Sequence, residues 1–462
     1  MSIYDTSTMQ DMYFTTPEMK RIFSDAHRVQ RQMDCEAALA ETEAELGIIP
    51  QDAAAEIVKK SKAKYLDFDA LRADMVRTGH PFVALVHAYK VICDGSAGEY
   101  VHWGATTQDI LDTAAVLQVR DAYEIIMARV EELYRLLAES AFRHKDLVMA
   151  GRSNGQQAMP ITLGYKIAVW GFELRDDIDR MREAEKRVFK GQFGGAVGTL
   201  ASLGEDGLRV QEGFLRRLKL AQPPIAWSSS RSHNAELLSN LAIMAATLGK
   251  IGTEVYALQK SEVRELEEAQ GEGSVGSSTM PHKRNPFRAM ELSTNAKLIR
   301  GCADVMLGAL ETEHERDPRS ASVESLLFEQ AFSLLDASLT KAIGLMNGLQ
   351  VHPREMRRNL DALHGLIYSE AVMMKLAQEL GRQTAHDIVH TLSRRAFEEG
   401  IPLARLLEEE PRVHAVLSGD EISKLMRPEA YVGLAPYFAE KLKEEAEAYF
   451  RTRETFGESA LP

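Results

Sequence analysis

Cysteine is scarce in this chain: three residues in 462, Cys35, Cys93 and Cys302, odd in number, far apart and without a CxxC pair. That excludes a disulfide framework and a cysteine zinc site, and leaves buried, reduced thiols as the reading. His80 and His87 stand seven apart and no HExxH occurs, so neither metal nor cofactor is expected. No apolar run of about 18 residues marks a membrane span. The opening MSIYDTSTMQDMYF has no basic region followed by an apolar stretch, as a secretory leader would, and the expectation is a cytoplasmic chain with no membrane partner. Positive charge is also in deficit. Lys and Arg number 55 against 68 Asp and Glu, a net charge of −13, which argues against a nucleic-acid binder because phosphate neutralisation needs a basic face. An anionic small molecule would need a local cationic pocket.

What is present is helix almost everywhere. Hydrophobic residues make up 45% of the chain, enough for a large core divided over two or three domains. In 235–270, Leu237, Leu241, Met244, Leu248, Ile251, Val255 and Leu258 recur at alternating steps of four and three with no proline between them, the seam of a bundle helix. A helix over that whole span would run roughly 50 Å, a length suited to a bundle crossing a molecule or a subunit interface. Similar patterns occupy about 113–144, 161–190 and 323–348, while beta-type alternation is scarce and short. Breakers near 111 and at His352-Pro353 suggest a helical N-terminal section 1–111, a long-helix section 112–351 and a C-terminal section of shorter helices 352–462. The glycine-rich 191-GQFGGAVGTLASLG-204 reads as a loop.

A second loop, 271-GEGSVGSSTMPHKRNPF-287, carries chemistry. It lacks the GxxxxGK[ST] spacing of a triphosphate cradle, and Pro281-His282-Lys283-Arg284-Asn285-Pro286 is too rich in donors for a spacer. Ser277, if deprotonated, is a strong base, and Lys283 and Asn285 can hold a carboxylate beside it by charge and by amide donation. A glycine-rich lid can close over such an assembly and exclude water.

GSSTMPHKRNP resembles the GSSxMPxKxNP signature of the fumarase/aspartase superfamily, whose members eliminate or add groups at a succinyl unit. The likeness covers nearly the whole chain. VHWGATTQDILDT at 101–113 resembles the first superfamily region, GRSNGQQAMPITLG at 151–164 the second, and 355–389 the C-terminal domain of the branch holding adenylosuccinate lyase and 3-carboxy-cis,cis-muconate cycloisomerase. The stretch 21–50 and the HWGATTQD form look closest to the cycloisomerase, whereas GQQ and the HERD at 314–317 are more like adenylosuccinate lyase. The resemblance implies an all-α, three-domain subunit whose long central helices form a twenty-helix core in a homotetramer, with active sites shared between subunits. It also implies roles. Ser277 matches the base that takes a proton from the carbon next to a carboxylate, and Lys283 and Asn285 match residues that stabilise the resulting dianion. Thr106, Thr107 and Gln108 match a carboxylate-binding turn, and His80 and His102 match two histidines near the substrate. Asn154, Gln156, Ser278, Met280 and Arg316 fall at further substrate-contacting positions.

Two departures narrow the chemistry. Adenylosuccinate lyases read GRTHGQ in the second region, and that histidine protonates the leaving nitrogen; here Asn154 takes its place, and an amide cannot deliver a proton near neutral pH. The glutamate that partners the histidine falls on Met290, with Glu291 displaced by one. Cycloisomerases lack the pair as well but carry Trp at the Asn154 position. The second departure is Met12-Tyr13 where adenylosuccinate lyases have an Arg-Tyr that grips phosphate, which leaves Arg316 and Arg319 as the available forks. The expectation is a cofactor-free lyase acting on a small di- or tricarboxylate, expelling a group that needs little protonation, nitrite for example, and giving fumarate. Alternatives are a cycloisomerase-like enzyme, an adenylosuccinate lyase and an inactive, crystallin-like structural protein.

Overall fold

Leu237, Leu241, Met244, Leu248, Ile251, Val255 and Leu258, the seam read from the sequence, are all buried in the computed structural model, which describes residues 8–271, 273 and 276–456. Nineteen α-helices, five short 3-10 helices and four short strands make up the regular structure of the described residues, so the all-α reading holds. The elements that position the site are α1 (Asp25–Glu45), α2 (Pro81–Ile92), α3 (Thr107–Arg143), the strands β1 (Val148–Ser153) and β2 (Gln156–Thr162), α4 (Leu163–Val188), α5 (Ser232–Leu258), α6 (Phe287–Gly308), α7 (Pro318–Asn347) and α8 (Ala435–Phe456). Helices α3 to α7 form a five-helix bundle in which α3 packs on α4, α4 on α5, α5 on α6, α6 on α7 and α7 back on α3.

Small residues let α5 and α6 approach closely. A Cβ on Gly252 would lie 2.5 Å from the Ala289 carbonyl and 2.8 Å from Leu292 Cβ, and one on Gly249 would lie 2.9 Å from Ala296 Cβ. Helix α1 lies along α3, and α8 returns to pack on α3 and α4. A separate hydrophobic cluster, with Val372, Ile388, Leu403 and Ile422 at its heart, occupies the C-terminal region before α8. All three cysteines are buried and free. Helix α5 is long and apolar enough to cross a membrane by composition alone, but it is the core helix of the bundle and more than half of it is buried there.

The structure corrects two readings. The helix expected over 235–270 ends at Leu258 after 27 residues, about 40 Å. Beyond it the chain turns through Arg264, whose φ of 52° is left-handed. It then runs extended, so that Leu266–Glu267 pairs with Gln350–Val351 and Glu265 reaches the interior. The apolar seam stops at the same residue, since Val263 and Leu266 break its spacing. The second correction is an antiparallel hairpin, β1 with β2, where no strand was expected. Its two-residue turn is Asn154-Gly155, with φ of 51° and 78°. Both residues are left-handed, as the tightest hairpin turn requires, and Asn-Gly is the dipeptide that enters it most readily.

Candidate functional site

Helix α3 begins where backbone donors are tied down by one carboxylate. Asp109 accepts the N–H of Thr106 at 3.0 Å and, across the glycine-rich loop, those of Gly194 and Gly195 at 2.8 and 2.9 Å. Burial raises its pKa, and the three donors only partly offset that. The loop at 191–204 is thereby locked against the turn 104–107. Just ahead of α7, Arg316 donates to the Thr106 hydroxyl at 2.8 Å. A cavity of about 480 Å³ opens here, and Thr107, Gln108, His80, Arg316, Arg28 and Glu324 are among its walls. His80 also caps α2, its Nδ1 accepting the Val83 N–H at 3.4 Å. The structure separates the two arginines of the turn. Arg316 faces the cavity, whereas Arg319 is held by Asp317, Nε to Oδ1 at 2.9 Å and Nη2 to Oδ2 at 2.6 Å.

Under this cavity lies a buried charge network that no sequence motif announced. Gln108 donates to Asp112 Oδ1 at 2.6 Å, Arg231 to Asp112 Oδ2 at 2.7 Å and to Glu324 Oε2 at 2.5 Å. The Arg231 guanidinium also sits 5.3 Å from the Trp227 ring. Burial drives the Glu324 carboxyl up to about 7 against the pull of Arg231, and raises Asp112 in the same way. The network fixes the Gln108 side chain at the cavity wall.

His102 stands in the left-handed backbone region at φ 64°. Glu36 of α1 holds it twice: Oε2 accepts its backbone N–H at 2.9 Å and Oε1 contacts ring Nδ1 at 2.8 Å. Phe82 packs against the ring edge to face, centroids 5.0 Å apart. Burial pulls the imidazole pKa down, but the hydrogen bond and charge of Glu36, with Asp109 behind it, outweigh burial and the net displacement is upward.

The remaining candidates lie elsewhere. Asn154 sits exposed at the hairpin tip, its amide 3.4 Å from Ser153 Oγ, and Gln156 starts β2 beside it. Two residues before the tip, Arg152 anchors the hairpin by donating to both oxygens of Glu265 at 2.8 and 2.7 Å. In the loop before α6, Ser277 Oγ accepts the backbone N–H of Met280 at 3.1 Å and of Thr279 at 3.4 Å. Ser278, Met280 and Lys283 are exposed. Asn285 donates to the Gly276 carbonyl at 2.7 Å, closing the loop on itself. A Cβ at Gly276 would lie 2.4 Å from the Lys283 carbonyl, so glycine is required there. Glu291 is not free to partner anything at the hairpin, because Lys341 holds it at 2.7 Å. The same lysine donates to the Tyr13 carbonyl at 2.7 Å and so supplies a cation beside that tyrosine.

The candidates thus fall into three groups: His80, His102, Thr106, Thr107, Gln108 and Arg316 around the start of α3; Asn154 and Gln156 at the hairpin tip; and Ser277, Ser278, Met280, Lys283 and Asn285 in the loop. Among the described residues no hydrogen bond or ion pair joins the groups within one chain. Also among the described residues, no group of three or more His, Cys, Asp or Glu is placed to hold a metal ion.

A family model described as lyase matches residues 11–306, and one described as adenylosuccinate lyase C-terminus matches 365–442. The chain is 40% identical over 423 residues to an N-acetyl-S-(2-succino)cysteine lyase of Dickeya dadantii, covering 92% of this chain and 93% of the relative. It is 39% identical over 451 residues to a 3-carboxy-cis,cis-muconate cycloisomerase of Pseudomonas aeruginosa, covering 97% and 98%. Among solved structures, a 3-carboxy-cis,cis-muconate lactonizing enzyme from Pseudomonas putida superposes with a TM-score of 0.89 at 37% identity, covering 96% of this chain and all of the other.

Proposed function

The chain belongs to the fumarase/aspartase superfamily of lyases, and on that premise we propose that it cleaves a 2-succinyl thioether, releasing a thiolate and fumarate. The observation that carries the reading is the hairpin tip. The place where a leaving nitrogen would be protonated holds an amide, Asn154, and Glu291, one residue from the position of the partnering acid, is engaged by Lys341. A thiol ionises near pH ~8.5, so its anion departs without a delivered proton. The Dickeya relative's name describes a succinyl carbon joined to sulfur, and this is the kind of bond the missing acid permits.

In the proposed step the Ser277 alkoxide removes a proton from the substrate CH₂ next to a carboxylate. The electron pair moves into that carboxylate as an aci-dianion, which Lys283 and Asn285 stabilise. As the pair returns to form the carbon–carbon double bond, the carbon–sulfur bond breaks and sulfur leaves with its electrons. The two backbone N–H groups on Ser277 Oγ favour its anionic form. The turn at Thr106 and Thr107, with Arg316, receives the other carboxylate. Assaying S-(2-succinyl) thiols should give fumarate by ultraviolet absorbance and free thiol by disulfide exchange in equal amounts. Fumarate absent while a lactone forms from a carboxymuconate would overturn the reading in favour of the cycloisomerase.

The site is proposed to be completed by neighbouring copies in a homotetramer. Support comes from the separation of the three groups and from apolar side chains left exposed on the long helices: Val169 on α4, Ile243 and Tyr256 on α5, Leu298 and Val305 on α6, and Leu326 on α7. Five long helices per chain would make the twenty-helix core in four copies. His102→Ala and Ser277→Ala chains co-expressed in equal amounts should recover roughly a quarter of wild-type activity, the share of mixed sites that random assortment leaves intact. No recovery would refute sharing.

A further inference from the structure

The double contact between Glu36 and His102 stands near the start of α3, outside the cap that Asp109 makes. Glu36 is almost fully buried, sits mid-helix in α1, and spends both oxygens on a single residue sixty-six positions away. One oxygen fixes a backbone held in the left-handed region, a state that costs a non-glycine residue strain and persists only when its surroundings enforce it. The other oxygen takes the Nδ1 proton. With Phe82 against the ring, the imidazole has no freedom to turn. Nε2 makes no hydrogen bond among the described residues and the side chain is 18% exposed, so this nitrogen is the ring's open end. His102 also precedes the Thr106-Thr107 turn by only four residues, on the segment that Asp109 locks to the glycine-rich loop.

We propose that Glu36 is a positioning residue that aims Nε2 of His102 at a substrate carboxylate, making His102 a second receptor for the dicarboxylate beside the turn at Thr106. The proposal rests on the dicarboxylate reading of the site and is independent of the leaving group. It has a built-in pH limit. Because Glu36 occupies the Nδ1 proton, the neutral ring offers a bare lone pair at Nε2 and repels a carboxylate, while the cationic ring offers an N–H donor and attracts it. Binding is therefore strong while His102 is charged and fades as pH rises through its pKa.

The groups acting on this ring are few. Glu36 comes from α1 and Asp109 from α3, both favouring the cation, while α2 contributes the uncharged Phe82. Around Glu36 itself stand Cys35, Glu43 and Tyr89, all with pKa raised by burial, Glu43 to about 9, so they are neutral at physiological pH.

The test is fumarate affinity by titration calorimetry from pH 5.5 to 9, on wild type, Glu36→Gln and His102→Gln. Wild type should lose affinity on the alkaline side. In Glu36→Gln only Asp109 still opposes burial of the ring, so the loss should begin about one pH unit lower or more, a roughly tenfold weaker affinity at a pH above both midpoints. His102→Gln, whose amide keeps a donor at all pH, should bind weakly with no alkaline limb. Should Glu36→Gln fail to fold, Glu36→Asp, whose shorter side chain cannot hold the backbone N–H and Nδ1 together, is read in the same way. An unshifted limb in Glu36→Gln, or a limb retained in His102→Gln, overturns the proposal. A protein that shows the shifted limb but turns over no thioether fails the reaction reading and keeps this one.

Discussion

Ser277→Ala should lower fumarate release by about 10²–10⁴, the worth of a positioned general base, with helical content and oligomeric state unchanged. The loop does not depend on the hydroxyl for its shape. Asn285 closes it on the Gly276 carbonyl, and the tight approach of Gly276 to Lys283 sets the turn. The Ser277 oxygen only receives the N–H groups of Thr279 and Met280, the arrangement that stabilises an oxygen carrying charge. Removing it therefore removes chemistry and leaves structure. Steady-state kinetics should show kcat falling with KM little changed, and activity retained within a factor of ten would place the base on another residue.

Adenylosuccinate should turn over more slowly than a succinyl thioether by about 10²–10⁴, since expelling an amine without a positioned acid forfeits that factor. Asn154 has no proton to give, and Glu291 is engaged by Lys341. The thioether should also show little solvent isotope effect on leaving-group departure, because no proton moves in that step. Fumarate appearing from adenylosuccinate at about 10 per second, an ordinary enzyme rate, would mean that another residue supplies the proton.

The bundle was legible because its cause is local. An apolar seam at steps of four and three can be satisfied only by burial along one face, and every seam residue from Leu237 to Leu258 is buried. The loop character of 191–204 was legible for the same reason, as glycine leaves little side chain to pack. The hairpin at 148–162 was missed although its signal was printed in the chain: Asn154-Gly155 is a turn dipeptide, but the glycine-rich neighbourhood and Pro160 obscured the alternation on either side. Motif reading placed His80, Thr106, Thr107, Gln108 and Arg316 in the site, and they meet at one cavity or its rim. It could not find Glu36, Asp112, Arg231 or Glu324. These act through pairs up to 119 residues apart, and nothing in a one-dimensional pattern marks which glutamate on an amphipathic helix turns inward to meet a partner.

The backbone at Asn154 carries a consequence for how this protein can change. Outside glycine, the left-handed region is entered most readily by asparagine, aspartate and histidine, so the tip admits an amide, a carboxylate or an imidazole without refolding the hairpin. Codons for asparagine and histidine differ by a single base. The tip projects into solvent from strands anchored by Arg152 and Glu265, so its side chain carries none of the burden of packing the bundle. Exchange of amide for imidazole at this position is then open to one-step mutation that leaves the turn in place, while the five helices of the bundle are held to their sequence by their own core.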